Sequence, residues 1–351
     1  MQDRKAVIAG AGIIGLATAL ELADAGWHVT VFDRREAMAE ASRAAAGMLA
    51  GLDPENPPAL HALARLSLSL YPDFLARIET LSGRRIPLRT SRTAQGLPHR
   101  PSGMTQLSSA DLQKLAPGID PRTLDFFLLE ETSFDAWDLA EALPAASRAA
   151  GIHLREHTPV LQVHSEKAGV QVETPQGSVS AAVFLNAAGA WASALDPSLP
   201  IFPRKGHLLT VELPGDVQTE CVLRTGAVYI VPRGQNRYTV GSTVEDAGFD
   251  RTVDSGRIQG LFHEAACLWP PLRQARIVES WIGFRPASED GLPILDGTAE
   301  NCWIATGHFR NGILLGPATG RVLAQWMNGR TPEVDLTSFR ASRFTPAPQS
   351  S

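Results

Sequence analysis

Three short stretches carry the side chains best suited to chemistry: "AVYIVPR" with Tyr229, "SWIGFRPASEDG" with Arg285, and "GHFRNG" with His308, Arg310 and Asn311. Arginine presents a planar fork of N–H donors that matches a carboxylate through two parallel charge-assisted bonds. Arg285 follows a strand-like run and either holds such a carboxylate or pairs with Glu289 or Asp290 at the surface. Tyr229 lies between Val228 and Ile230, so its ring either joins a core or turns its hydroxyl to the same acid group. Arg310 reads as a local ion-pair former or a further substrate contact, and His308 as a positioning residue rather than a base. The candidate catalytic set is therefore Arg285, Tyr229 and Arg310, and the chemistry is that of a small substrate with an acid group.

Such side chains need a scaffold, and the first element of one opens the chain. "KAVIAGAGIIGLATALELADAGWHVTVFDRRE" reads as strand, glycine turn, helix and second strand. Ala6 to Ala9 is a short buried strand; Leu16, Ala19, Leu20 and Ala23 recur at helical spacing, and Gly26 falls where a helix ends. Gly10 permits the tight turn, Gly12 lets backbone approach a pyrophosphate, and Gly15 lets helix and strand pack closely. The phosphate charge would rest on the unpaired N–H groups of the helix N-terminus. Asp33, at the end of the second strand, can accept hydrogen bonds from the hydroxyls of an adenine ribose. Gly10, Gly12, Ile14, Gly15, Asp33 and the adjacent Arg34 are the candidate dinucleotide contacts of this unit, which by itself leaves NAD and FAD open.

Composition narrows the classes. The chain has 351 residues, enough for two domains, and 44% hydrophobic residues, a globular composition. A net charge of −5 with scattered Lys and Arg offers no footprint for nucleic acid. Cys221, Cys267 and Cys302 stand far apart without metal-ligand spacing, so neither a metal site nor a disulfide framework is expected, and a cytoplasmic setting is. Arg4 and Lys5 before the uncharged run Ala6–Leu20 mimic a signal peptide, but glycines break the run, and no segment is long enough to cross a membrane.

Further along, "ASRAAAGMLAG" is either an alanine-rich helix or a backbone that hugs a flat ligand. Pro57 to Leu81 reads as a packing helix, Gly83 to Phe134 as loop-rich, and "AWDLAEALPAASRAAGI" as a helix ending near Gly151. Strand-rich sequence runs from Ile201 to Arg285. "CWIATG" then returns to a buried strand, and the last helix ends near Gly329 with Pro317 expected in its first turn. The fold class is α/β: a discontinuous Rossmann-like nucleotide domain (1–82, 136–200 and 286–345), a β-rich α+β substrate domain (83–135 and 201–285) and a tail (346–351). The interleaving favours a long ligand stretched through the domain, as FAD is.

"SRAAAGML", "YIVPR", "GFRPASEDGLPI" and "GHFRNGILLGPATG" together resemble the glycine oxidases of the thiamine pathway, within the D-amino acid oxidase and sarcosine oxidase superfamily of flavoproteins. The resemblance spans nearly the whole chain. It implies FAD held without a covalent bond, since the loop Pro286–Asp290 lacks the cysteine that attaches flavin in the sarcosine oxidase branch. It implies oxidative deamination of glycine, sarcosine or small D-amino acids, with hydride passing from Cα to flavin N5. Electrons then go to O2, giving H2O2 and an imine that can feed thiazole synthesis. It assigns Gly307, His308, Arg310, Asn311, Gly312, Ile313 and Leu314 to the flavin-contacting turn. Ser42, Ala46, Gly47 and Met48 fall in the stretch lining the cofactor, and Val160, Ala188 and Gly189 near its adenosine half. Arg43 stands where serine or threonine is commoner. A homo-oligomer, tetrameric in related enzymes, is also implied. The alternatives are a dehydrogenase of D-amino or N-methyl amino acids using another acceptor, and a non-catalytic FAD-binding subunit.

Overall fold

The computed structural model describes residues 4–101, 103–299 and 301–344, so the expected tail at 346–351 lies outside the described residues. β1 (Lys5–Ala9), α1 (Ile13–Asp24) and β2 (His28–Phe32) form the opening unit. β1 is the hub of a six-stranded sheet. It pairs in parallel with β2 on one side and with Val183–Asn186 on the other, in register Ile8 to Val31 and Ile8 to Leu185. Cys302–Thr306 and His153–Arg155 extend the sheet in parallel, and Ile294–Ala299 closes it antiparallel. A parallel sheet must be covered on its faces. α1, the long helix His61–Ser82 and the helices Ala136–Ala149 and Gly312–Met327 cover one face, burying a core around Leu16, Leu20, Leu63, Ile78, Leu143 and Leu323. The three-stranded antiparallel sheet Gln162–Glu166, Gly169–Thr174 and Gly177–Ala181 covers the other, against Val7, Ala9, Phe32 and Phe184.

A second sheet of eight strands is assembled from sequence on both sides of this unit. Its order is Arg276–Ala287, Phe202–Glu212, Arg237–Gly241, Tyr229–Gly234, Val222–Arg224, Thr93–Leu97, Asp125–Leu129 and Thr105–Gln106. All its pairs are antiparallel except Val222–Arg224 with Thr93–Leu97. One face packs on the helix Ser255–Leu268, with Trp269, Leu261 and Ala265 in the shared core. That helix lies inside the stretch read as strand-rich and was not itself singled out. Asp254 caps it by accepting from the Arg257 N–H, and Ile258, Leu261 and Ala265 form its buried stripe. The loop-rich stretch 83–134 holds only short elements: Thr93–Leu97, Thr105–Gln106 and Asp125–Leu129 complete the large sheet, Leu88–Thr90 and Ser133–Phe134 pair with each other, and Ser109–Leu115 is a short helix.

Pro317 is the sixth residue of Gly312–Met327 rather than a first-turn residue. A proline there removes the N–H that would reach the carbonyl of Ile313, which normally costs about 3 kcal/mol. The Tyr71 hydroxyl, from the neighbouring helix, donates to the Ile313 carbonyl instead, and the Ala318 N–H finds Ser67 Oγ at 3.3 Å. Two side chains of the facing helix thus compensate the break, a long-range remedy invisible in the local sequence.

Candidate active site

A cavity of about 320 Å³ lies between the two sheets. Its floor is one face of the large sheet, where period-two alternation sets the lining. The pairs Arg204–Arg285, Gly206–Gly283, Leu208–Gly241 and Gly241–Tyr229 bring Arg285, Gly206, Gly283, Leu208, Gly241 and Tyr229 to the same face. The glycines are what make room. A Cβ on Gly206 would stand 2.4 Å from Arg285 Nη1, and one on Gly241 would stand 2.5 Å from the Tyr229 ring. A Cβ on Gly283 would meet that of Ala44 at 2.6 Å, so this glycine lets the segment after β2 lie against the sheet. None of the three was singled out from sequence; glycine inside a strand, which marks close approach, was the available signal.

Arg285 donates from Nη1 to the Thr243 carbonyl at 3.1 Å and from Nη2 to Ser242 Oγ at 2.6 Å, and it also bonds Tyr229. All three partners are uncharged, so the guanidinium keeps its charge available toward the cavity. Burial pushes Arg285 down from its ordinary value, and Tyr229 opposes that push. Burial raises the Tyr229 phenol, with Arg285 opposing, so the group stays a neutral hydrogen-bond donor. The surface pairing with Glu289 or Asp290 is not what the fold builds; Asp290 bonds Arg343 instead.

Arg310 lines the same cavity and forms ion pairs, though with partners distant in sequence and not the local ones expected: Nη1 sits 2.7 Å from Glu55 Oε2 and 3.5 Å from Asp53 Oδ2. Asp53 is also 3.7 Å from buried Arg224, which lies 3.0 Å from Glu131 and bonds Gln95. This charged cluster, formed by residues 53, 55, 131 and 224, was not legible because its members come from three separate stretches.

The nucleotide side is built from two helix N-termini that open on the cavity. Neither α1 nor Gly312–Met327 carries an acidic residue in its first turn, so nothing anionic competes there. Gly10, at φ 107°, leaves a gap that a Cβ would close to 2.2 Å from the Ala187 carbonyl, and Gly15 does the same against Gly10 at 2.0 Å. Gly12 and Ile14 line the cavity, and Ser42 Oγ accepts from the Ile13 N–H at 3.0 Å. "ASRAAAGMLAG" gives only a four-residue helix, Ala41–Ala44, before Gly47 turns at φ 80°. Ala46, Gly47 and Met48 then line the cavity wall. Arg43 points away: its guanidinium lies 4.6 Å over the Trp137 ring, outside the cavity lining.

Gly189, His308, Asn311, Gly312 and Ile313 line the cavity as well. Others serve behind it. Asp33 accepts from the Ala11 and Arg35 N–H groups at 2.7 and 2.9 Å, leaving further lone pairs; burial raises its carboxyl. Arg34 stacks 3.5 Å over Trp191 and pairs with Glu40 at 3.0 Å. Ala188 is held through the Asn186 side chain, Gly307 turns at φ 76°, and Leu314 is buried in the core beneath the turn. Val160 stands apart from the cavity, packed in a satellite core with Phe32 and Val170. These positions set the pyrophosphate-side glycines, the small-residue wall and the late helix N-terminus along one continuous groove, which fits an elongated dinucleotide.

His308 is buried, with Nε2 3.2 Å from Thr319 Oγ1, and burial pushes its pKa down from 6.5 to about 3. A base that weak stays neutral at working pH, in line with a positioning role. Because the folded pKa lies below the unfolded one, the unfolded chain binds the extra proton between about pH 6.5 and 3, and stability falls as pH drops through that window. The slope from this group is at most about 1.4 kcal/mol per pH unit. Urea midpoints measured across that range should decline, and His308→Gln should flatten the decline without adding an inflection to the activity profile.

Comparison with known proteins agrees with the groove. The family described as FAD dependent oxidoreductase matches residues 5–326. The chain is 36% identical to the bifunctional protein ThiO/ThiG of Trichormus variabilis, over 97% of this chain and 55% of that protein, so it spans about half the length of that relative. It is 33% identical to a glycine oxidase of Geobacillus kaustophilus, over 96% of both chains. A crystal structure of glycine oxidase from Geobacillus kaustophilus superposes with a TM-score of 0.91 at 31% identity, covering 97% of this chain and 99% of that one. No helix among the described residues is long and apolar enough to cross a membrane. With a glycine-cradled groove leading to a partly buried arginine, and a family match over most of its length, the chain belongs to the FAD dependent oxidoreductases.

Proposed function

We propose that this protein oxidises glycine and other small amino acids or amines, with O2 as the acceptor that regenerates it and an imine as the first product. The observation that carries this reading is Arg285: a partly buried guanidinium with only neutral partners, facing a cavity beside a tyrosine hydroxyl. Arg285 and Tyr229 would hold the substrate carboxylate. Gly206, Gly241 and Gly283 keep the floor low, and Arg310, tethered to Glu55, borders the mouth. FAD would be held without a covalent bond by the turn at Gly10–Gly15, the wall Ser42–Met48 and the turn at Gly307–Leu314. When bound, it supplies the acceptor for the hydrogen and two electrons that leave the substrate's α carbon.

The protein's own work is then alignment. Fixing the carboxylate at Arg285 fixes the α carbon, and positioning of this kind is worth about 7–11 kcal/mol of barrier in well-oriented cases. His308 stays neutral, and Asp53 and Glu55 are engaged by arginines, so the substrate amine enters already deprotonated. Segments 1–82, 136–200 and 286–345 would hold the cofactor, while 83–135 and 201–285 cover the substrate. The thiamine link, the homo-oligomer and the cytoplasmic setting belong to the same reading, and three free cysteines suit a reducing compartment.

The deciding experiment mixes FAD-loaded protein anaerobically with glycine, sarcosine, D-alanine, D-proline and a hydroxy acid, then admits air. Glycine or another small amino acid should bleach the flavin, and air should restore it with one peroxide per substrate. A flavin that no amine or amino acid reduces overturns the proposal; reduction without peroxide on reoxidation moves the acceptor from O2 to another molecule.

A further inference from the structure

We infer that Glu245 and His207 are positioning residues that set the affinity for substrate carboxylate by fixing the acceptors that aim Arg285. The inference rests on the reading of Arg285 as the carboxylate anchor. Two of the acceptors that orient its guanidinium, Ser242 Oγ and the Thr243 carbonyl, lie just beyond the strand Arg237–Gly241, at the start of an irregular segment reaching Asp254. An irregular segment is soft unless tied down, and soft acceptors would leave a partly buried cation loosely aimed.

The tie is a hydrogen-bond network in which every proton is accounted for. His207 is fully buried, and its Nε2 accepts the Asp254 N–H at 2.9 Å. In the neutral ring the other nitrogen must then carry the proton, and Nδ1 donates to Glu245 Oε1 at 2.8 Å. Thr243 Oγ1 accepts the His207 backbone N–H at 2.8 Å and donates to the same Glu245 oxygen. The backbones of Glu245 and Lys205 exchange two further bonds, at 2.9 and 3.0 Å. Reversing any one bond would leave another donor or acceptor unmatched, so the network admits one arrangement of Thr243 and hence one position for its carbonyl.

These residues cannot touch the substrate. Gly206 and Leu208 face the cavity, and His207 between them faces away; neither it nor Glu245 lines the cavity. The sheet itself does not need them, because Phe202–Glu212 is zipped to Arg276–Ala287 and to Arg237–Gly241 along its length. Their effect must therefore reach the site through residues 242 and 243.

Both donors converge on one oxygen, Oε1, while Oε2 faces Arg257 at 3.8 Å. The amide oxygen of glutamine can take the place of Oε1, so Glu245→Gln keeps the network and Glu245→Ala destroys it. In FAD-loaded protein, Glu245→Ala should raise KM for glycine about tenfold, the equivalent of one lost network hydrogen bond. It should weaken acetate, read by flavin absorbance, by the same factor and change kcat less than about twofold. Glu245→Gln should restore most of the affinity. Thr243→Val, which keeps the carbonyl but loses both hydroxyl bonds, should act like Glu245→Ala and serves if that variant fails to fold. Combined with Arg285→Leu, neither change should weaken acetate further. Unchanged acetate affinity and KM in a folded Glu245→Ala or Thr243→Val variant overturns the inference, as does a loss confined to melting temperature or FAD content. If Arg285→Leu alone leaves acetate binding intact, the anchor reading falls instead, and the two failures are distinguishable.

Discussion

Replacing Arg285 with leucine should lower kcat/KM for glycine, the proposed substrate, by about a thousandfold while the protein still folds and retains FAD. The size follows from removing one partner of a desolvated charge pair, worth about 2–5 kcal/mol, at about 1.4 kcal/mol per factor of ten. The direction of the stability change sharpens the test. Without substrate, Arg285 is a partly buried cation whose three partners are neutral, and desolvation already presses on its charged form. A leucine there removes that desolvation cost, so the melting temperature of the ligand-free variant should stay level or rise. A drop in activity accompanied by lower stability would point to misfolding and not to a lost anchor. Arg285→Lys keeps charge but loses the planar fork and the paired bonds to residues 242 and 243, so it should recover only part of the loss. Steady-state kinetics with glycine, flavin absorbance and thermal melts on the three proteins decide the matter; near-normal turnover in the leucine variant would remove Arg285 from the site.

What could be read from the chain alone follows the range of the forces involved. The β1–α1–β2 unit was legible because Gly10, Gly15 and Asp33 each answer a demand set within about twenty residues. Arg285 and Tyr229 were legible as residue types with a resemblance behind them. What shares their face was not, since Gly206, Gly241 and Gly283 acquire meaning only once strands distant in sequence pair in register. Pro317 shows the same limit in a helix. Local rules put it in a first turn, yet Tyr71, more than two hundred residues earlier, supplies the missing donor. Arg310 was left between two roles because its partners, Asp53 and Glu55, are brought to it only by folding. The helix Ser255–Leu268 had a local signal, an aspartate cap and a spaced apolar stripe, and was overridden by the strand-like texture around it.

Gly15→Ala should destabilise the apoprotein by about 3 kcal/mol and weaken FAD at least about a hundredfold, an effect out of proportion to one methyl group. Overpacking a rigid contact costs about 1–3 kcal/mol and more where the neighbour cannot yield. Here it cannot: the added Cβ would stand 2.0 Å from the Gly10 carbonyl oxygen, which is backbone. α1 has no room to retreat either. On its other side a Cβ at Gly320 would already stand 2.8 Å from the Ala17 backbone, and one at Gly316 would stand 2.8 Å from the Ile13 side chain. The helix Gly312–Met327, against which α1 is so closely fitted, begins at the late turn that lines the cavity. Pushing α1 off β1 therefore disturbs both ends of the groove at once. Gly10→Ala combines a similar collision, 2.2 Å from the Ala187 carbonyl, with an unfavourable φ of 107° and should be at least as severe. Gly26→Ala is the control, since its φ is 82° but nothing lies within 4 Å of the new Cβ. It carries only the left-handed strain, about 1–2 kcal/mol, and should leave FAD affinity unchanged. Urea unfolding of the three apoproteins, with FAD titration of each, separates collision from strain; equal losses in all three would mean that the closeness of α1 to β1 is not what holds the cofactor turn.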